Sequence, residues 1–194
     1  FLEHFGVKLV MNWYSAIFAS IVVAFPLMYR SALRKVRTVF FENEENAQFF
    51  LHKNIISAQQ MKILPGAGIN LDEYPYVPMK DDGVCSFLFV GRIMKEKGVD
   101  EFFTAAKTAK AEFGEKVAFD VVGFYEDAYK DTVDQLVADG VINFHGFQTD
   151  VHPFYEAADC VVLPSYHEGM SNVLLEGAAT GRTLITSDIP GCRA

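Results

Sequence analysis

The sequence predicts an α/β fold, in which a parallel sheet is covered on both faces by helices. Short apolar runs that suit buried strands alternate along the chain with longer segments whose apolar residues recur at helical spacing. This alternation requires crossover connections, which give a doubly wound, Rossmann-like parallel sheet. The chain has 194 residues, of which 51% are hydrophobic. It can therefore bury a substantial core, and disorder is not expected.

The N-terminal part contains an apolar segment, Leu9–Tyr29, without any Asp, Glu, Lys or Arg. As a helix it would be about 30 Å long, which is nominally enough to span a bilayer. Basic residues follow it directly, namely Arg30, Arg34, Lys35 and Arg37. Hydropathy alone leaves three interpretations open: a buried helix of a larger domain, an interfacial helix with a basic border, and a transmembrane span.

Two strands with a helix between them are predicted next. The strands are Thr38–Glu42 and Met61–Leu64. The helix runs from Glu44 to about Lys53, with Asn43 as its N-cap and with early acidic residues that suit the helix dipole. This strand–helix–strand unit begins the regular alternation on which the fold prediction rests.

A segment with two prolines, a glycine and several charges, residues 74–83, is typical of a linker, which makes 1–73 a partial first domain and 84–194 a second domain. The strands predicted in the second domain are Cys85–Val90, Ala118–Val122, Val141–His145, Cys160–Leu163 and Thr183–Thr186. Its predicted helices are Val99–Phe113, Ala128–Asp139, Val151–Ala158 and Asn172–Ala179. In such a sheet, ligands bind beyond the carboxyl ends of the strands. Candidate site residues are therefore expected in the loops that follow the strands.

One of these loops lies in the stretch PSYHEGMSNVLLEG, residues 164–177. It leads into a helix that begins near Ser171 or Asn172, where unpaired backbone N–H groups form a ready anion site. Glu168 lies in the loop, and Glu176 lies one turn beyond Asn172. No cation is found at helical spacing from Glu176, so hydroxyl or N–H donors from elsewhere are expected to match its carboxylate. These residues alone leave open that both acids are merely solvated.

A second loop, VGRIMKEKG, carries cations after the strand Cys85–Val90. Gly91 lets a ligand approach the backbone, Arg92 offers a planar fork for phosphate, and Lys97 adds a mobile point charge. The alternative is an ordinary solvated loop with several charges. The pattern is consistent with phosphate binding and does not establish it.

Composition narrows the classes of function that this chain can have. The formal net charge is −8 and no basic stripe is present, which argues against a nucleic-acid surface. Cys85, Cys160 and Cys192 show neither a disulfide framework nor metal-ligand spacing. Cys85 and Cys160 lie in predicted strands and are expected to be buried free thiols in a reducing compartment. The histidines are expected to be packing or loop residues, since nothing fixes a partner for His145, His152 or His167.

The paired glutamates carry a family resemblance. Glu168, seven intervening residues and Glu176, within PSYHEGMSNVLLEG, resemble the motif of retaining glycosyltransferases of family 4, which have the GT-B fold. The continuation AATGRTLITSDIPGCR is similar to that family's small-residue helix, strand and turn. Earlier segments, FFENEENAQFFL and ILPGAGINLDEY, are similar to the last units of its first domain. The resemblance implies an internal fragment with an almost complete donor-binding domain and an incomplete acceptor-side domain.

The resemblance also implies roles for the candidate residues. Arg92 and Lys97 would neutralise the diphosphate of the donor. Glu168 would hold hydroxyls of the transferred hexose, and Glu176 would hold the ribose. The remaining donor-binding positions implied by the family are the backbone at Gly91, the turn at Gly123, the base-receiving loop at Gly146 and Phe147, and the N–H groups of Gly169, Met170, Ser171 and Asn172.

The implied function is transfer of a hexose from a nucleotide-diphosphate sugar, with UDP as the expected nucleotide, to a saccharide or a lipid-linked saccharide. Transfer is expected to retain the anomeric configuration and to need no metal or other cofactor. A cytoplasmic location with peripheral membrane contact through residues 9–37 is expected. The alternatives are a GT-B phosphorylase, a sugar-nucleotide epimerase, and a non-catalytic nucleotide-binding or membrane-docking module.

Overall fold

The computed structural model describes residues 28, 30–64 and 66–193. Contacts divide the chain into two compact units, Phe1–Ile63 and Leu64–Ala194. The segment predicted as a linker, residues 74–83, belongs to the second unit. The prediction for Leu9–Tyr29 lies, apart from Met28, outside the described residues.

No helix within the described ranges combines the length and hydrophobicity that crossing a bilayer requires.

The first unit contains the predicted strand–helix–strand sequence. Strand β1 (Val39–Phe41) and strand β2 (Met61–Ile63) pair in parallel, and helix α1 (Glu44–His52) connects them. Asn43 caps α1 as predicted, because its side-chain oxygen accepts from the N–H of Asn46 at 2.9 Å. A small buried core of four residues supports the unit: Phe41, Ala47, Ile55 and Ile56.

The second unit contains a five-stranded parallel sheet. Its strands are β3 (Cys85–Val90), β4 (Val117–Val122), β5 (Asn143–Phe144), β6 (Cys160–Leu163) and β7 (Thr183–Thr186). Their spatial order is β5-β4-β3-β6-β7, and every pairing is parallel. The predicted α/β class and parallel sheet are confirmed.

Helices cover both faces of this sheet, as the alternation of strands and helices in the sequence predicted. They are α2 (Val99–Phe113), α3 (Lys130–Ala138), α4 (His152–Ala157) and α5 (Asn172–Ala179). The larger core packs the apolar sides of α2 and α3 against the sheet, with Phe102, Phe103 and Leu136 buried. A second core holds Tyr155 of α4 against Leu88 and neighbouring apolar residues of the strands.

Strand β5 is shorter than the predicted Val141–His145. It lies at the edge of the sheet and pairs only with β4, through Asp120 opposite Asn143 and Val121 opposite Phe144. Apolar character alone therefore overestimated the length of this strand. The interior strand β3 and strand β6, each bonded to neighbours on both sides, have the predicted bounds.

The strand order places the candidate loops next to one another. Strands β3, β4 and β5 follow one another in one direction across the sheet, and the chain then returns to the other side of β3 for β6 and β7. Between β3 and β6 the winding reverses, and in open α/β sheets ligands bind at such a point, beyond the carboxyl ends of the strands. The loop with Arg92 and Lys97 follows β3, and the loop with Glu168 follows β6.

Candidate functional site

The loops that follow β3 and β6 are in direct contact. Gly98 ends the turn Lys95–Lys97 with a φ of +69°, and a Cβ at this position would lie 1.9 Å from the carbonyl oxygen of Pro164. Only glycine fits such a conformation and such an approach. The hydroxyl of Ser165 donates to the carbonyl of Glu96 at 3.0 Å, which joins the same two loops. This contact fixes how the charged residues on the two loops face each other.

Two of the predicted residues meet at this contact. The ammonium of Lys97 lies 2.6 Å from a carboxylate oxygen of Glu168. The side chains are 26% and 11% exposed, respectively, so the pair is partly shielded from water. Shielding strengthens a charge-assisted hydrogen bond relative to a fully exposed pair. Glu168 is therefore not a solvated surface acid, which was the alternative that the sequence left open.

The start of α5 is built as the sequence suggested, with Ser171 as the N-cap. Its hydroxyl accepts from the N–H of Leu174 at 3.4 Å. The N–H of Ser171 itself donates to the carbonyl of Gly191 at 3.2 Å. One of the N–H groups predicted for a phosphate is thus already bonded within the chain. The roles predicted for the backbone at Gly169, Met170 and Asn172 stay predictions.

Glycines predicted from the sequence bring the loops after β4 and β5 against the loop after β3. Gly123, after β4, has a φ of +144°, and a Cβ there would lie 1.9 Å from the carbonyl oxygen of Gly91. The N–H of Gly123 donates to the carbonyl of Gly146 at 2.8 Å. The backbones after β3, β4 and β5 therefore lie side by side, and a side chain at position 123 would separate them.

These loops line a pocket of about 180 Å³. Its lining combines predicted and unpredicted residues: Val90, Gly91, Arg92, Val122, Gly123, Phe124, Phe147, Gln148 and Val151. Phe124 and Phe147 are exposed, with ring centroids 6.5 Å apart. Valines and two accessible aromatic rings suit a flat, weakly polar ring that can stack. Arg92 adds a cation at the same place.

Glu176 is half-buried and has a donor from another helix. The hydroxyl of Tyr155, on α4, donates to Glu176 Oε2 at 2.7 Å. Tyr155 is fully buried, and burial together with the charge of Glu176 raises the pKa of its phenol. The expectation that a hydroxyl from elsewhere matches this carboxylate is confirmed.

Two of the histidines, His145 and His152, pair with nearby aspartates. His145 Nε2 lies 2.7 Å from Asp120 Oδ1, and His152 Nδ1 lies 2.6 Å from Asp150 Oδ1. Among the residues that the structure describes, no group of three or more His, Cys, Asp or Glu side chains could hold a metal ion.

The cysteines are free, and Cys160 is buried as expected. Cys85 is exposed, so the expectation that it is buried was wrong. It is the first residue of β3, at the amino end of the strand and outside the packed centre of the sheet. Strand membership alone does not bury a residue at a strand end.

Several residues at the site were not predicted from the sequence. Phe124 directly follows the predicted Gly123, so its position in the same turn was a usable signal. Tyr155 lies on the apolar side of a predicted helix, which indicates burial but not its partner. Gln148 and Val151 gave no local signal, because only the adjacency of β4 and β5 brings them to the pocket.

The structure shares its α/β fold with GT-B glycosyltransferases of known structure. HepE of Anabaena, solved in complex with UDP-glucose, superposes with a TM-score of 0.70 at 16% identity, covering 87% of this chain and 49% of that one. The C-terminal domain of a glycosyl transferase group 1 family protein, LpcC of Francisella tularensis, matches with a TM-score of 0.52 at 25% identity. That match covers 64% of this chain and 72% of the solved domain.

Sequence comparison identifies the family. Residues 85–194, more than half of the chain, match the family described as glycosyl transferases group 1, and the protein belongs to that family. Over 177 residues it is 25% identical to the N,N'-diacetylbacillosaminyl-diphospho-undecaprenol alpha-1,3-N-acetylgalactosaminyltransferase of Campylobacter jejuni. The match covers 85% of this chain and 46% of that enzyme. The chain thus spans about half the length of this relative.

Proposed function

We propose that this chain forms the donor-binding part of a retaining family 4 glycosyltransferase that transfers a hexose from a UDP-sugar. The observation that carries the proposal is the approach of Lys97 to Glu168, 2.6 Å apart, where the winding of the sheet reverses. A cation for the diphosphate and an acid for the sugar hydroxyls are thereby adjacent. The bond that breaks in such a donor joins those two groups.

The proposed chemistry is electrostatic. As the bond between the anomeric carbon and the diphosphate oxygen breaks, its electron pair passes to that oxygen. Arg92 and Lys97 stabilise the negative charge that grows there. The oxygen of an acceptor hydroxyl bonds to the anomeric carbon, and its proton leaves with the diphosphate. Glu168 holds hexose hydroxyls and faces the positive charge that develops on the sugar. These cations fill the role that a metal has in other transferases, so we propose no metal requirement.

The nucleotide is proposed to occupy the pocket beside Arg92. Its valines and the exposed rings of Phe124 and Phe147 suit a planar base. The half-buried carboxylate of Glu176 suits the ribose hydroxyls, since a carboxylate only accepts hydrogen bonds. A solved protein of this fold, HepE, is described in complex with UDP-glucose, which supports UDP as the nucleotide.

The acceptor is proposed to be a saccharide or a lipid-linked saccharide. The Campylobacter jejuni relative is named for a diphospho-undecaprenol-linked acceptor, which supports the lipid-linked alternative. Peripheral membrane contact through residues 9–37, on the cytoplasmic side, belongs to the same proposal. Retention of the anomeric configuration can be tested by NMR, from the coupling constant of the anomeric proton in the product.

Titration calorimetry of the 194-residue chain tests the diphosphate assignment. Arg92→Ala and Lys97→Ala should each weaken UDP binding by about 1–3 kcal/mol, the free energy of a charge-assisted contact. Uridine lacks the diphosphate, so its affinity should stay unchanged. Lys95, exposed in the same loop, offers a matched control, because Lys95→Ala removes a charge without removing a proposed contact. Parallel loss of UDP and uridine binding in the Arg92 and Lys97 variants would contradict the proposal.

A further inference from the structure

Three side chains lie together beside the second core. Glu176 lies on α5, Tyr155 on α4, and Tyr74 in the segment that precedes β3. The phenol of Tyr155 donates to Glu176 Oε2 at 2.7 Å. The rings of Tyr155 and Tyr74 pack edge to face, with centroids 6.0 Å apart and planes at 79°. The carboxylate of Glu176 is therefore held by the phenol of Tyr155, and the ring of Tyr74 supports that tyrosine.

Tyr74 is held in place by its own segment. The N–H of Val77 donates to the carbonyl of Thr180 at 3.2 Å, and the guanidinium of Arg182 donates to the carbonyl of Val77. Both anchors lie just beyond the C-terminal end of α5, the helix that carries Glu176. On the other side, the ring of Tyr74 lies over His152, with a centroid separation of 4.4 Å. Tyr74 thus has little freedom to move away from Tyr155.

The phenol of Tyr155 remains a donor at neutral pH. Burial, followed by the charge of Glu176, raises the pKa of Tyr155. This phenol therefore keeps the proton with which it holds the carboxylate. A carboxylate offers about four lone-pair sites, and the phenol fills about one of them. The open sites can accept further donors, which is sufficient for the two hydroxyls of a cis-diol.

We propose that Tyr155 is a positioning residue that fixes the rotation of the Glu176 carboxylate so that its open oxygen sites face the two ribose hydroxyls of the nucleotide. This inference rests on the proposed function, which assigns the ribose to Glu176. It adds that the selectivity for a ribose depends on a tyrosine that itself need not touch the nucleotide. Without the phenol, the carboxylate can turn away or bind water in place of the diol.

The test compares UDP with 2′,3′-dideoxy-UDP, which lacks both ribose hydroxyls, by titration calorimetry on the 194-residue chain. Tyr155→Phe keeps the ring and its packing but removes the hydroxyl. It should weaken UDP binding by about tenfold, in keeping with a hydrogen bond to a charged group. It should leave the affinity for dideoxy-UDP unchanged, so that the preference for UDP falls by the same factor. A merely structural role would weaken both ligands alike, and that outcome would overturn the inference.

Tyr129→Phe is the matched control. Its phenol also donates to a carboxylate, Asp100, at 3.2 Å, but Tyr129 packs with the core on the α2 and α3 side of the sheet. This variant should change neither affinity. A loss of UDP preference in it equal to that in the Tyr155 variant would overturn the inference, because the effect would then not be specific to Glu176.

Glu176→Gln separates failure of the inference from failure of the proposed function. If Glu176→Gln abolishes the preference for UDP while Tyr155→Phe keeps it, the ribose assignment stands and the positioning inference is wrong. If Glu176→Gln itself keeps the full preference, the ribose assignment is wrong and the inference falls with it. Loss of preference in Glu176→Gln and Tyr155→Phe, with Tyr129→Phe unchanged, supports both.

Discussion

At the scale of single residues, the site depends on how two carboxylates are matched. Glu168 is bonded to the ammonium of Lys97, whereas Glu176 is bonded to the neutral phenol of Tyr155. A donor diphosphate would compete with Glu168 for the same lysine, since both are anions. It would not compete with Glu176 for the phenol, which carries no charge. The two acids, although of one residue type, should therefore respond differently to substitution.

Glu168→Gln should leave the affinity for UDP within about threefold of wild type, because the variant loses a competitor for Lys97 and no nucleotide contact. Glu176→Gln should weaken UDP binding by about tenfold, because glutamine accepts fewer hydrogen bonds and carries no charge. Calorimetry with UDP distinguishes the two. Transfer rates of the enzyme should fall in Glu168→Gln, where the hexose contact is lost. If Glu168→Gln loses UDP as severely as Glu176→Gln does, the proposed division of roles is wrong.

At the scale of elements, a buried cation helps to fasten the segment before β3 to the rest of the second unit. Arg182 is 5% exposed and donates to backbone carbonyls on three segments. Ala158 O is reached at 2.7 Å and Thr180 O at 2.9 Å, and the third acceptor is the carbonyl of Val77. A guanidinium has five N–H donors in a fixed fork, which suits this arrangement of acceptors. The position of Tyr74 relative to α5 follows from these contacts.

Arg182→Met should lower the free energy of unfolding by about 3 kcal/mol, because buried carbonyls would lose their donors. Arg193→Met is a suitable control. Arg193 is exposed and pairs with Asp188 at 2.6 Å at the surface, where solvent screens the pair and its contribution to stability is small. Urea denaturation followed by circular dichroism measures both. Equal effects of the two substitutions would show that Arg182 does not anchor the segment.

At the scale of the whole chain, the sequence predicted the elements better than their contacts. The bounds of β3, β6, β7, α2 and α5 agree with the prediction, because apolar runs and helical periodicity are local signals. Strand β5 is shorter than predicted, because only Asn143 and Phe144 pair with β4. Side-chain partners were not predictable from periodicity. They depend on which loops the strand order brings together.

The same distinction applies to the site. Position in the loops singled out Arg92, Lys97, Glu168 and Glu176, resemblance to a family supplied their roles, and the structure brings Lys97 and Glu168 into contact. Nothing in the sequence indicated that Tyr74, in a segment predicted as a linker, packs against Tyr155 of α4. That contact exists because the segment is fastened just beyond the C-terminal end of α5. It is a property of the fold, and no local pattern encodes it.

A crystal structure of this chain with UDP bound tests the central claim most directly. The account predicts the uracil in the pocket beside Phe147, the ribose hydroxyls within hydrogen-bond distance of Glu176, and the diphosphate within hydrogen-bond distance of Arg92 and Lys97. In that complex the ammonium of Lys97 should contact a phosphate oxygen. UDP bound away from the loops that follow β3 and β6 would contradict the account. UDP bound at these loops with its diphosphate directed away from both cations would also contradict it.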